Sequence, residues 1–129
     1  MSLVKLLPAW LHAVADYAVA ATLIVVALAV GGTDKAVATG VVVGVVVAVV
    51  SLMTKYPLGL VKVLPFTVHS AGDYLAAALL VLAPFVLSFN DSDSGLTAFY
   101  VVEGIAVLAV SLITNYQYSE KRQVRPAMA

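Results

Sequence analysis

The chain has 129 residues, of which 63% are hydrophobic and only 11% charged, and its mean hydropathy is +1.06. A soluble domain of this size is nearer half apolar and a quarter charged, so the composition is that of an integral membrane protein. The formal net charge of zero argues against a nucleic-acid partner, and the lack of cysteine excludes disulfides, thiolate metal sites and cysteine redox chemistry.

The apolar residues are collected into four runs of bilayer-spanning length, about 20 residues each. A short lead-in with Lys5 precedes a first helix expected over 8–30, with Pro8 suited to its first turn. This run is too long for the core of a signal peptide, and no small-residue cleavage site leads into a soluble domain. Gly31-Gly32-Thr33-Asp34-Lys35 is a polar turn. A second helix is expected over 36–53, almost pure valine, alanine and glycine. Lys55-Tyr56-Pro57-Leu58-Gly59 breaks it. A third helix is expected over 65–89, with Pro84 near its end, then the turn Asn90-Asp91-Ser92-Asp93-Ser94-Gly95. A fourth is expected over 96–116, followed by a polar tail, 117–129. Membrane strands would alternate in polarity over about ten residues, whereas these runs are apolar on every side and suit helices, which satisfy their own backbone in lipid.

The chain resembles itself. Leu3-Val4-Lys5-Leu6-Leu7-Pro8 matches Leu60-Val61-Lys62-Val63-Leu64-Pro65, and His12, Asp16, Tyr17, Ala20, Ala21 and Leu23 match His69, Asp73, Tyr74, Ala77, Ala78 and Leu80. Further on, Gly44, Val47, Val50-Ser51-Leu52, Thr54 and Tyr56 match Gly104, Val107, Val110-Ser111-Leu112, Thr114 and Tyr116. The division is therefore a first two-helix repeat over 1–59, a second over 60–116 and a cytoplasmic tail over 117–129. The expected fold is all-α, a four-helix transmembrane bundle from two parallel tandem repeats, with a pseudo-twofold axis along the membrane normal.

Of the seven basic residues, Lys5, Lys55, Lys62, Lys121, Arg122 and Arg125 fall on one side of such a bundle and Lys35 on the other. The positive-inside rule then puts both termini in the cytoplasm of a cell-membrane protein, with Trp10, Tyr56, Tyr116 and Tyr118 in the aromatic belt on that side.

The second unit, over most of 65–114, resembles the SPW-repeat family of small bacterial membrane proteins. Each repeat of that family has two spans, the first ending near a Ser-Pro-Trp signature. Here Leu82-Ala83-Pro84-Phe85-Val86-Leu87-Ser88-Phe89 occupies that place, followed by a polar turn and a helix with Gly104. Ala83 and Phe85 depart from the signature, and the first unit has Ala27 where Pro84 sits. The resemblance implies an architecture of tandem hairpins and no particular activity.

The concentrated chemistry is the duplicated His-x-x-x-Asp pair. Residues at i and i+4 share a helix face, so His12 with Asp16 and His69 with Asp73 each form a polar patch about 6–12 Å into the membrane at 1.5 Å per residue. Charges there are costly against lipid and should face other helices. Val19, Leu23 and Ala27 continue that face of the first helix, and Ala76, Leu80 and Pro84 that of the third. If both faces meet, the four groups form one cluster, with Tyr17 or Tyr74 as extra donors. Four uses remain open: polar glue fixing helix register; a ligand set of His12, Asp16, His69 and Asp73 for a divalent metal such as zinc, or two facing histidines on a haem; proton or ion handling; and a histidine general base.

Glu103 breaks the repeat where the first unit has Val43, and is expected to bond Tyr100 or the outer turn, or to serve an outer vestibule or a partner. Ala36, Gly40, Gly44 and Ala48 form a small-residue stripe on the second helix, which suits close packing inside the bundle or a homo-oligomer or membrane-protein partner. Tyr100 stands where Gly40 would be in the second unit, so one special close contact is expected at the second helix. Asn90-Asp91-Ser92 fits a short glycosylation sequon. No phosphate-binding loop, nucleotide fingerprint or hydrolase nucleophile motif is present, which points away from an enzyme. The expected partner is membrane lipid and no cofactor is required. The leading expectation is a structural, assembly or partner-binding membrane protein; a small transporter, channel, metal or haem protein is the alternative.

Overall fold

The computed structural model describes residues 5–116; the expected tail over 117–129 with its basic residues, Tyr118, and the first residues of the Leu3 motif lie outside them. The chain forms four helices, α1 (Ala9–Val30), α2 (Asp34–Met53), α3 (Phe66–Val86) and α4 (Ser94–Ile113). All four are long and apolar enough to cross a membrane. The hydropathy of α3 is lowest, 1.4 against 2.2–2.6 elsewhere, because Thr67, His69, Ser70 and Asp73 sit in it. Among the described residues there is no strand, only isolated bridges of Leu7 with Thr114 and of Thr54 with Leu64.

The two prolines stand one residue before α1 and α3 rather than inside them, with φ of −69° and −59°. Their fixed φ suits a helix start. The Pro8 and Pro65 carbonyls accept the first-turn bonds from His12 N (3.1 Å) and His69 N (3.0 Å), so each histidine closes the first turn of its helix.

Two helix ends come earlier than expected. α3 stops at Val86 instead of 89, because Phe89 N and Asn90 N both turn back onto the Pro84 carbonyl (2.9 and 3.0 Å) while Ser88 takes a left-handed φ of 59°. α4 stops at Ile113 instead of 116. The Ile113 carbonyl accepts from Leu6 N and Leu7 N (2.8 and 2.7 Å), and Asn115 N donates to Leu7 O (2.9 Å). At the end of α2 the Met53 carbonyl accepts from Val63 N and Leu64 N (3.0 and 2.7 Å), and Lys55 N donates to Leu64 O (2.8 Å). The lead-in of each hairpin is thus bonded to the last turn of the other hairpin.

Packing is most extensive between α1 and α2 and between α3 and α4; α1 with α4 and α2 with α3 close the bundle. The intimate contacts need glycine. A Cβ on Gly44 would come within 2.9 Å of Ala20 O and 2.7 Å of Ile24 Cγ1, and one on Gly104 within 2.9 Å of Ala77 O and 2.8 Å of Val81 Cγ2. Gly40 faces Ala27 and Leu23 of α1 and the Tyr100 hydroxyl of α4, which donates to Ala36 O at 2.6 Å. The small-residue stripe of Ala36, Gly40 and Gly44 is therefore occupied inside the chain, Ala48 being half-buried beside it, and the special contact at α2 is with Tyr100. An external contact through α2 would use its outward Val42, Val45, Val46 and Val49. The core at the turn end is Leu23, Ala36, Leu80, Phe89, Leu96 and Tyr100. There Asp93 ties the α3–α4 turn to the α1–α2 turn, accepting from Thr33 N (3.0 Å) and Thr33 Oγ1 (2.7 Å). Gly32, at φ 129°, lies where any Cβ would collide with the Asp93 carboxylate.

Candidate functional site: a ring of two histidines and two aspartates

At the lead-in end, α1 and α3 turn their His-x-x-x-Asp faces toward each other. His12 Nε2 is 3.2 Å from Asp16 Oδ1 and 3.0 Å from Asp73 Oδ2; His69 Nε2 is 3.0 Å from Asp16 Oδ2 and 3.0 Å from Asp73 Oδ1. Each carboxylate therefore bridges both histidines and each histidine touches both carboxylates. All four side chains are buried, the histidines at 1–2% exposure and the aspartates at 8%.

A second set of residues orients the first. His69 Nδ1 and the Thr54 hydroxyl are 2.7 Å apart, as are His12 Nδ1 and the Thr114 hydroxyl. Each threonine donates its own hydrogen to the carbonyl one turn back, Thr54 to Val50 O and Thr114 to Val110 O, both at 2.6 Å. The hydroxyls can then only accept from the histidines, so both Nδ1 atoms carry hydrogen and both Nε2 atoms point into the ring. Tyr56 donates to Asp16 Oδ2 (3.0 Å) and Tyr116 to Asp73 Oδ2 (2.7 Å). Burial first, then the charge of the facing aspartate, pushes both phenols above their usual range, which keeps them protonated donors.

Phe66 covers the ring on the lead-in side, edge-on to His12 (5.3 Å between centroids) and tilted against Tyr116 (4.7 Å). On the other side Leu23, Ala27 and Leu80, none of them exposed, fill the seam.

Several expectations need correction. The carboxylate-bonded phenols are Tyr56 and Tyr116, which are buried inside the bundle, whereas Trp10 is exposed. Tyr17 donates to Leu58 O at 2.8 Å, tying α1 to the central loop; Tyr74 is half-buried on α3. Glu103 accepts from Thr22 of α1 at 2.9 Å and bonds neither Tyr100 nor the outer turn. The four threonines and tyrosines around the ring escaped prediction, although a Thr-x-Tyr after each second helix, matched between the units, was the signal for them.

The ring's protons follow from these bonds. With both Nε2 atoms bare, two lone pairs would face ionised carboxylate oxygens at about hydrogen-bond distance. Two protons shared between the Nε2 atoms and the carboxylates would give the ring zero net charge, as a buried cluster requires. One divalent cation in their place gives the same balance. His12 Nε2 lies 3.2 Å from Asp16 and 3.0 Å from Asp73, spacings that serve a shared proton or a common ligand. One donor atom from each of His12, Asp16, His69 and Asp73 lies within 4.8 Å of the others. A tetrahedral zinc bound at 2.0–2.2 Å sets its ligand atoms about 3.3–3.6 Å apart; the four short contacts here use both oxygens of each aspartate, so a set with one oxygen from each would draw in from the 4.8 Å spread to bind it. A haem does not fit, because the carboxylate oxygens occupy the space between the imidazoles that a porphyrin would need. Comparison with known protein families, with curated proteins and with solved structures found no match to this chain.

Proposed function

We propose that this chain is a small membrane protein in which one divalent transition-metal ion, of the zinc class, pins two tandem hairpin units together through His12, Asp16, His69 and Asp73. The observation that carries this is the convergence of both Nε2 atoms and both carboxylates on one point, with each Nδ1–H held by a threonine. Metal-binding histidines are ordinarily fixed through their other ring nitrogen in this way. Four protein ligands close the coordination sphere, which suits a structural site and a non-enzymatic role in assembly or partner binding. The architecture matches the SPW-repeat resemblance, and the near-identical contacts made by the two halves support an internal duplication. We read the lead-in end, with Lys5, Lys55 and Lys62, as cytoplasmic.

Metal analysis of protein purified in detergent tests the reading. One ion per chain is expected in the wild type and none in His12→Ala/His69→Ala, with helix content by circular dichroism confirming that the variant folds. Wild-type protein that takes up no zinc, cobalt or manganese would leave the ring as a two-proton clamp. The tyrosine bond to each carboxylate favours that second reading, because it satisfies the aspartates without a metal. Single cysteines placed in the turn containing Gly31 and Gly32 should label from outside the cell; labelling from the cytoplasm would reverse the topology.

A further inference from the structure

The sequence match between the halves pairs the α1–α4 seam with the α2–α3 seam, and four positions differ between them in one sense. On the α2–α3 seam they are Val43, Val46, Leu75 and Leu79, all bulky and apolar. Val46, Leu75 and Leu79 are 54%, 61% and 49% exposed, as side chains facing lipid are. Their equivalents on the α1–α4 seam are Glu103, Ala106, Ala18 and Thr22, which are polar or small. The Glu103 carboxylate accepts from the exposed Thr22 hydroxyl at 2.9 Å. Glu103 is the tenth of the twenty residues of α4, so it lies about 14–15 Å from either end at 1.5 Å per residue, at the middle of the span. It is half-buried, and among the described residues it forms no ion pair. The other acidic, basic or histidine side chains in the four helices are the ring members, Asp34 and Lys35. Lys35 sits at the start of α2 and donates to Leu87 O at 3.3 Å.

We propose that the α1–α4 seam docks a transmembrane helix of another membrane protein, one that carries a lysine or arginine at mid-span to pair with Glu103. A carboxylate beside lipid at this depth is costly, and acidic groups inside membranes are ordinarily paired. Thr22 supplies one neutral donor and no countercharge. The four helices of a second copy have no basic side chain at that depth, so the cation comes from a different protein. Ala18 lies one turn from Thr22 and Ala106 one turn from Glu103, on the same faces, and both are exposed. Small residues on such a surface let another helix approach closely; Leu75 and Val46 hold it off at the equivalent places. The Glu103–Thr22 bond is not needed to join the helices, since Val43 and Leu79 stand in its place where α2 meets α3. Val25, Val102 and Ile105, all more than half exposed, flank the carboxylate, so the partner helix is apolar around its single cation. The proposal does not depend on a metal in the ring.

The test is energy transfer in phosphatidylcholine liposomes at neutral pH, between the full chain and a synthetic leucine–alanine helix of about 21 residues. One probe helix carries lysine at its centre, which matches the depth of Glu103 in either orientation; the control carries leucine there. The lysine helix should bind the wild type about tenfold more tightly than the control, and Glu103→Gln should abolish the difference. Glu103→Val, which installs the residue of the equivalent position, should do the same. Helix content in both variants, and metal content if the wild type binds metal, should be unchanged. Equal binding of the two helices to the wild type, or a preference for lysine that survives Glu103→Gln, would overturn the proposal. Self-association of the wild type that Glu103→Gln abolishes would give the seam to a second copy and would also overturn it. Wild type that holds no metal and still prefers the lysine helix leaves this proposal standing and removes the metal reading alone.

Discussion

His12 and Asp73, on the first helices of the two halves, stand 3.0 Å apart, closer than His12 stands to Asp16 on its own helix at 3.2 Å. The histidine–aspartate spacing within one helix thus does not make two separate pairs. It makes two halves of one ring, and the ring is a principal polar link between α1 and α3. Removing one member leaves a buried uncompensated charge, which costs about 3–5 kcal/mol. Asp16→Ala and Asp73→Ala should therefore each lower unfolding stability in denaturant by that amount, and by similar amounts, because the two aspartates have the same neighbours.

Thr54→Val and Thr114→Val keep side-chain volume and remove the acceptor for a histidine Nδ1–H. A buried donor left unpaired costs about 1–3 kcal/mol, and loss of such an orienting bond weakens metal affinity about 10–100-fold. Stability and metal titration should move together in both variants. Unchanged affinity in both would mean that the threonines do not orient the imidazoles.

Tyr56→Phe and Tyr116→Phe should each lose about 1.5–3 kcal/mol, the range for hydrogen bonds to charged groups. Because both phenols are pushed above the usual range of about 10 by burial and a facing aspartate, neither substitution should alter the tyrosinate absorbance that develops up to pH about 11. A smaller absorbance change in either variant would contradict their burial.

Asp93 carries a pH signature at the turn end. Hydrogen bonds from the Thr33 hydroxyl, then from Ser92 and the Thr33 backbone, hold its carboxyl below the ordinary 3.8. Between the folded and unfolded values the unfolded chain binds more protons, so this contribution is complete above the ordinary value and is lost as pH falls through the lowered one. Asp93→Asn should lower the melting temperature at neutral pH and flatten its decline in acid. An acid profile identical to wild type would separate Asp93 from that decline.

Gly44→Ala and Gly104→Ala should destabilise alike, by about 1–3 kcal/mol for overpacking, since each added methyl meets a helix carbonyl at 2.9 Å. Val42→Ala on the outward face of α2 should be near neutral in detergent.

The helices and the ring's members were legible in the sequence because apolar run length and the i, i+4 spacing act locally. Leu23 and Leu80 were placed on the inner seam by the same periodicity. Tyr56 and Tyr116 were not, because they lie beyond the helix ends. Their direction is set by Thr54 and Thr114, whose extended backbone (ψ of 142° and 140°) turns the chain inward, and that conformation depends on pairing with the lead-in of the other hairpin. The bond of Glu103 to Thr22 was equally out of reach, since helical phase gives a residue's face and not its neighbour across the bundle.

The most direct measurement is X-ray absorption at the metal edge of zinc-loaded protein after removal of loosely bound ions. Four nitrogen or oxygen neighbours at about 2.0–2.2 Å, with the outer-shell scattering of two imidazoles, are the predicted result. A shell of six oxygens without imidazole scattering, or a spectrum unchanged in His12→Ala/His69→Ala, would contradict a metal held by the ring.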